Sequence, residues 1–417
     1  MRSVVLVVLA GCGSPDPAPP PPPVAHDPWA AAPVADAHVD GLAHVGELLP
    51  KLAALRSLSF EHDVPRSYQD AATFEAFART EIGKDLPHPE DTSAALARIG
   101  LLAEPVDLVA VEQQALATQA GAYYSSQEKR FYLLLAPDGI ALDGLVVHEL
   151  VHALQDQHWN LDKLLPRDID ADHLLARRFL AEGDATFTMF LYALGELRGS
   201  ISPEMVRVLR GQLDQLVRMS PSEMAKQNVL GVAANVEPKL AGSLTAFESL
   251  PPTVIVPIFD SYIYGAELVA AAFEHGGWKA VDALYLDPPA STEQVLHPET
   301  KLFAHRDPPI AVDIPVPAGE TVIADLVMGE LQWQVYFQLW LPARKIVASE
   351  GWGGDRVIVT RRAGKLCARI RTVWDSWSDA DEFRTAYLAS LKTRFPRDDR
   401  AITVHQDGVR VAIDDCL

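Results

Sequence analysis

The sequence predicts an α+β protein, with a large, mostly helical region followed by a smaller C-terminal α+β unit. Three observations lead there. Apolar residues recur at helical spacing along most of the chain up to about residue 300, and a short pair of β-rich runs interrupts them near 122–135. After the Pro-rich passage Pro308 to Pro317, composition shifts toward β-runs. At 417 residues the chain exceeds one typical domain. The folded regions are therefore placed at 36–310 and 311–417, behind a targeting segment at 1–11 and a linker at 12–35.

From about Leu42 to Arg79 the pattern reads helix, short strand, helix. Leu48, Leu52 and Leu55 share one face of the first helix, and Phe74, Phe77 and Ala78 one face of the second. Asp91 to Ala120 is mostly helical and interrupted at Pro105, which has no N–H to give to a helical ladder. Ala122-Tyr123-Tyr124 and Arg130 to Leu135 flank a polar break at Ser125 to Lys129, which makes a hairpin. Pro137-Asp138-Gly139 leads its second arm into a helix from about Leu142 to Gln157, with Asp143 near the start. Further helices cover roughly Asp172 to Leu197, Pro203 to Lys226, Tyr262 to His275, and Trp278 to the Pro288-Pro289 stop. In the C-terminal region Arg356 to Thr360 and Leu366 to Trp374 read as strands, and Ser378 to Thr393 as a helix. Ile402 to His405 and Val409 to Ile413 form a last hairpin turning at Asp407-Gly408, a pair suited to a tight primed turn. Leu331 to Leu341 fits a strand and a helix equally well.

The net charge of −20 argues against nucleic acid, whose phosphates such a chain repels. The acid excess identifies no substrate. No stretch beyond the N-terminus approaches about 18 unbroken apolar residues, so a spanning helix is not expected. Met1-Arg2-Ser3 and the apolar run Val4 to Ala10 read as a targeting signal. Leu9-Ala10-Gly11-Cys12 resembles a bacterial lipobox, which implies a lipid on Cys12 and an extracytoplasmic, membrane-anchored protein. An ordinary cleaved signal is the plainer alternative. Ser14 to Pro33, rich in Pro and Ala, favours extended polyproline geometry and reads as a semi-rigid tether. Cys367 and Cys416 then remain as an even pair, and an exported protein would bridge them, unless both are incidental buried thiols.

The chemistry is carried by His148-Glu149-Leu150-Val151-His152. Helical positions four apart differ by about 40° in azimuth, so His148 and His152 face one ion. Neutral imidazole suits Zn²⁺, and two such ligands leave room for a third and a water. Glu149, to the side of that face, is placed to take a proton rather than to ligate. Chance would produce this pattern in roughly 2% of chains of similar length and composition. The bland alternative is a helix whose histidines satisfy core polar groups. The third ligand has two candidates. His158 has the metzincin spacing, but that family needs a glycine where this chain has Gln155, and continuing helix swings His158 away. Glu182, followed by Gly183, lies on the next long helix, where a glycine lets two helices approach closely.

His148 to His152 followed by Glu182-Gly183 resembles the gluzincin zinc peptidases. Tyr262-Ile263-Tyr264-Gly265 is similar to the Tyr-x-x-Gly segment of gluzincin aminopeptidases, which implies that Tyr262 steadies the oxyanion and leaves Tyr264 out of register. Two tyrosines merely packing a helix start are the plain alternative. The resemblance covers roughly Ala122 to Lys301 and implies a zincin-like peptidase domain holding one Zn²⁺ through His148, His152 and Glu182. It also implies Glu149 as general base on a zinc-bound water. Asp184 is expected either as a hydrogen-bond partner of a ligand histidine or as a solvated helix residue. The hairpin lacks the Gly-x-Met-Glu-Asn segment that holds a substrate amine in aminopeptidases, which tilts the expectation to an endopeptidase on peptide or protein substrates. Ser291 to Glu299 and Gly351 to Arg356 resemble segments of uncharacterised bacterial lipoproteins with the same zinc motif. His297 is expected near the substrate, or as a helix cap or loop brace, and Trp352, Asp355 and Arg356 as braces of the domain joint. A zinc hydrolase of another bond, and an inactive cell-envelope binding protein of the same fold, remain as rival functions.

Overall fold

The computed structural model describes residues 39–117, 121–134, 140–217, 250–341, 347–397 and 401–416. The segments expected at 1–11 and 12–35, with Cys12, the Pro137-Asp138-Gly139 turn and the 218–226 end of an expected helix lie outside them. The architecture is α+β, with two small sheets set among helices.

Helix α1 (Val39–Arg56) is followed by strand β1 (Arg66–Tyr68), then α2 (Ala71–Asp85), α3 (Pro89–Ile99) and α4 (Leu108–Ala117). Strands β2 (Ala122–Ser125) and β3 (Arg130–Leu133) form the expected antiparallel hairpin, and β1 joins it parallel to β3 in the order β1-β3-β2. Helix α5 (Ile140–Trp159) carries the motif and outruns its expected bounds at both ends. After a one-turn α6 (Leu161–Leu164), α7 (Ala171–Arg198) runs 28 residues, with Asp170 capping its start by accepting from the His173 amide. Then come α8 (Pro203–Leu216), α9 (Pro252–Gly276), α10 (Trp278–Leu286) and the short α11 (Thr292–Leu296). Helix α9 is long and apolar enough to span a membrane, but 72% of its most apolar window is buried against the other helices. It is a core helix.

The C-terminal region contains a strand that periodicity alone missed, β4 (Thr321–Leu326), and places 331–340 in helix α12 (Gly329–Trp340). Packing settles that helix. Leu331, Trp333, Val335, Tyr336 and Phe337 are all buried, because this helix is covered on several sides rather than along one stripe. Strands β5 (Trp352–Arg362) and β6 (Lys365–Trp374), helix α13 (Trp377–Arg394), and strands β7 (Thr403–Asp407) and β8 (Arg410–Asp415) complete an antiparallel sheet of order β4-β5-β6-β8-β7. The last hairpin pairs Asp407 with Arg410, so its two-residue turn is Gly408-Val409, one place later than expected. Gly408 takes φ +59° at the first turn position, where a side chain would be strained. Ala368 pairs with Asp415, so one step further along brings Cys367 to Cys416, whose Cα atoms lie 4.0 Å apart at disulfide distance.

One apolar core holds α1, α5, α7, α8, α9 and α10 together with the β2–β3 hairpin. A second joins Phe74, Ile82 and Leu96 of the early helices to Trp333, Val357, Ile370 and Phe383 of the C-terminal region. The stretches on either side of residue 310 thus share a core across the chain.

Candidate metal centre

Helix α5 presents two polar faces. His148, His152 and Gln155 fall at i, i+4 and i+7 and look toward α7, whereas Glu149 and Asp156, also seven apart, look toward the hairpin. Two full turns separate Glu149 from Asp156, and both hold the hairpin. The backbone N–H of Tyr124 donates to Glu149 Oε2 at 3.0 Å. The Tyr124 hydroxyl and the Lys129 ammonium donate to Asp156 at 2.8 and 2.7 Å. The hairpin therefore fixes the rotamer of Glu149.

On the other face the expected cluster assembles. Ligand-type atoms of His148, His152 and Glu182 all lie within 4.8 Å of one another, and all three side chains are buried. Glu182 Oε2 is 3.2 Å from His148 Nε2 and 3.4 Å from His152 Nε2. The imidazoles stand nearly perpendicular, at 84°, with centroids 4.9 Å apart. Glu182 Oε1 is fully buried with no hydrogen-bond partner, and His152 Nε2, also buried, meets only Glu182 Oε2 at 3.4 Å without hydrogen-bond geometry. Orphaned polar atoms of this kind are costly unless something else satisfies them. Two imidazoles and a carboxylate are a donor set suited to Zn²⁺, so the residues fit the ion.

The electrostatics agree with a tightly coupled set. Burial disfavours charge on His152, but the Glu182 carboxylate outweighs it and pushes the imidazole up to about 9. Burial works against Glu182 too, yet the two histidines, His152 foremost, hold it down at about 2. Glu149 is raised by burial, which outweighs the pull of His152 and His148.

Gly183 explains how Glu182 reaches the site. A Cβ on Gly183 would come within 2.1 Å of the carbonyl carbon and oxygen of Gly265, and one on Gly265 within 2.3 Å of the Phe179 carbonyl oxygen. Helices α7 and α9 cross backbone to backbone at this pair, so the close approach is to α9 rather than to the motif helix. Gly265 ends the Tyr262-Ile263-Tyr264-Gly265 segment, and the crossing sets Tyr262 with its ring 5.7 Å from that of His148. Burial, with Glu182 and Glu149 nearby, keeps its hydroxyl protonated well above the usual tyrosine range. Tyr264 points elsewhere, its hydroxyl donating to the Val217 carbonyl at 2.9 Å.

Other expected residues sit outside this cluster. His158, on the last turn of α5, has Nε2 2.7 Å from the Ser59 carbonyl oxygen. Asp184 bonds neither His148 nor His152. Its oxygens accept from Arg56 Nε at 2.8 Å and from the Tyr285 hydroxyl at 2.8 Å, because it projects from α7 toward α1 and α10. The partner of His152 is instead Gln155, which served in the sequence only as a sign that the helix continues. Its spacing of three from a candidate ligand was the available signal.

His297 braces helix α12 through Glu330 Oε1 at 2.9 Å. Asp355 receives the Met328 and Gly329 amides and the indole N–H groups of Trp333 and Trp352, so it caps the start of α12. Arg356 pairs with Asp325 and Asp313, and the Gly353 carbonyl accepts from the Ile310 amide across the joint at 2.7 Å. A cavity of about 430 Å³ opens there, lined by Asp170, Asp172, Asp325, Asp355 and Arg356 and separate from the cluster. A second acidic group, Glu293, Asp307 and Asp375, surrounds the Lys301 ammonium.

Among families of known sequence, one described as Domain of unknown function (DUF8575) matches residues 320–415, which are β4 through β8. No curated protein matches the chain. No solved structure matches it.

Proposed function

We propose that this chain is a zinc-dependent endopeptidase of the gluzincin type, with a zincin-like domain spanning 36–310, held outside the cytoplasm by a lipid on Cys12. The observation that carries the reading is the buried convergence of His148, His152 and Glu182 from two helices, with Glu182 Oε1 left unpartnered and His152 Nε2 meeting only Glu182 Oε2 at 3.4 Å. Core polar packing pairs the great majority of such atoms, so a cluster of two imidazoles and a carboxylate with an orphaned oxygen favours a bound cation over plain packing. Bound there, zinc would supply Lewis acidity and make a nearby water more acidic. Glu149 takes the proton of the attacking water on the oxygen that Tyr124 leaves free, then passes it to the departing amine. Tyr262 donates its hydroxyl proton in a hydrogen bond to the oxyanion that forms at the scissile carbonyl. The lipid anchor rests on Leu9-Ala10-Gly11-Cys12 and the Pro-rich tether behind it.

The test joins metal analysis to digestion. Purified protein should contain about one zinc per chain and cleave casein or a broad peptide library internally, with activity removed by a chelator and restored by zinc. Zinc without cleavage of any peptide would favour the inactive binding-protein reading, and cleavage of esters alone the other-hydrolase reading. Absence of zinc would end all three.

A further inference from the structure

We propose that Gln155 is a positioning residue that fixes His152 with Nε2 toward the metal, and that Asp184 and Arg56 anchor it from behind. This rests on the zinc reading of the cluster. Gln155 Nε2 donates to the Ala181 carbonyl at 2.9 Å, and a carbonyl only accepts, so this bond sets which end of the amide is nitrogen. The opposite end, Oε1, then faces His152 Nδ1 at 2.9 Å. An amide oxygen has no proton to give, so Nδ1 must carry one. The lone pair of the neutral imidazole is thereby left on Nε2, the atom that faces Glu182.

The anchor is as fully buried. Gln155 Nε2 also lies 3.4 Å from Asp184 Oδ2, which accepts from Tyr285 as well. Arg56 grips Asp184 through Nε at 2.8 Å and through a terminal nitrogen at 3.2 Å, and reaches Asp282 at 2.7 Å. Its guanidinium lies 4.3 Å from the centre of the Trp278 ring. Arg56 is the last residue of α1, so the first helix, through Arg56, and α10, through Tyr285, are both tied to the metal ligand by way of Asp184 and Gln155. Glutamine suits the position because a carboxylate would accept from Nδ1 but could not donate to Ala181, and would face Asp184 with like charge.

Zinc affinity by chelator competition, and visible absorption after cobalt substitution, should be compared for wild type, Gln155→Leu and Gln155→Glu. Removing such a partner weakens metal binding about 10–100-fold. Gln155→Leu should show that loss and a shifted cobalt spectrum, with the metal-free protein still folded, and Gln155→Glu should recover part of both. Wild-type affinity and spectrum in folded Gln155→Leu would overturn the proposal. A second measurement needs no variant. Histidine ¹⁵N resonances of zinc-loaded wild type should place the proton of His152 on Nδ1 and the metal on Nε2, and the reverse arrangement would overturn it equally. Wild type that binds no zinc removes the functional reading and this inference with it, whereas zinc-binding wild type with an indifferent Gln155→Leu removes the inference alone.

Discussion

Replacing Glu149 by glutamine isolates proton transfer from everything else that the residue does. Its Oε2 accepts the Tyr124 N–H at 3.0 Å, and a glutamine carbonyl accepts that bond equally well. The hairpin contact therefore survives, and the change in stability should stay below about 1 kcal/mol, the worth of one such bond. Zinc should stay as well, because the proposed ligands are His148, His152 and Glu182, and removing a neighbouring negative charge leaves their geometry untouched. What is lost is the acceptor for the proton of water. A positioned general base contributes at least about 10²-fold, equivalent to roughly 2.7 kcal/mol of barrier. The assay is kcat/KM on a peptide identified from the library digest, with zinc content and melting temperature measured on the same samples. Turnover within threefold of wild type at full zinc loading would refute the role. Loss of zinc in Glu149→Gln would show that the residue is a ligand and that the two-face reading of α5 is mistaken.

Four further outcomes follow from the same geometry. Glu182→Ala should abolish stoichiometric zinc, whereas His158→Ala should keep it, since His158 faces Ser59; metal analysis showing the opposite pattern would revive the metzincin assignment. Gly183→Ala forces a Cβ to within 2.1 Å of Gly265, so α7 and α9 must part by roughly 1 Å; a loss of about 3 kcal/mol or more and reduced zinc are expected, and an unchanged melting curve would contradict the crossing. Glu112 is fully buried with both carboxylate oxygens unpartnered, and burial raises it to about 8. Below its ordinary value, near 4.5, folded and unfolded chains are both protonated there. Between that value and about 8 only the unfolded chain ionises, so stability falls as pH rises, and Glu112→Gln should raise the melting temperature at pH 8 but little at pH 5. Cys12→Ala should release the protein from the membrane fraction and remove any lipid mass from the N-terminal peptide; unchanged fractionation would refute the anchor.

Local pattern was enough for much of this protein. The hairpin, the motif helix, α7 and the β5–β6 and β7–β8 ladders follow from periodicity and turn residues, which act over a few positions. His148 and His152 are legible together because the helical repeat alone places them on one face. Glu182 was legible as a candidate from the helix that carries it and from the glycine beside it. Other features depended on partners distant in sequence. Strand β4 has exposed, half-buried and buried positions, and its pairing with β5 rather than its own alternation makes it a strand. Helix α12 is apolar on several sides because early and late elements both cover it, which erased the stripe that would have identified it. Gly183 signalled close approach, but which backbone approaches was decided by Gly265, some eighty residues away on α9. Asp184 looked like the support of a ligand, yet the reach of Arg56 and Tyr285 claimed it, and Gln155 holds His152 instead. A sequence states which chemical groups a helix face offers. Only the packed chain determines which distant donors and acceptors arrive to meet them, because each polar group in a dry interior bonds whatever the surrounding elements bring within about 3 Å.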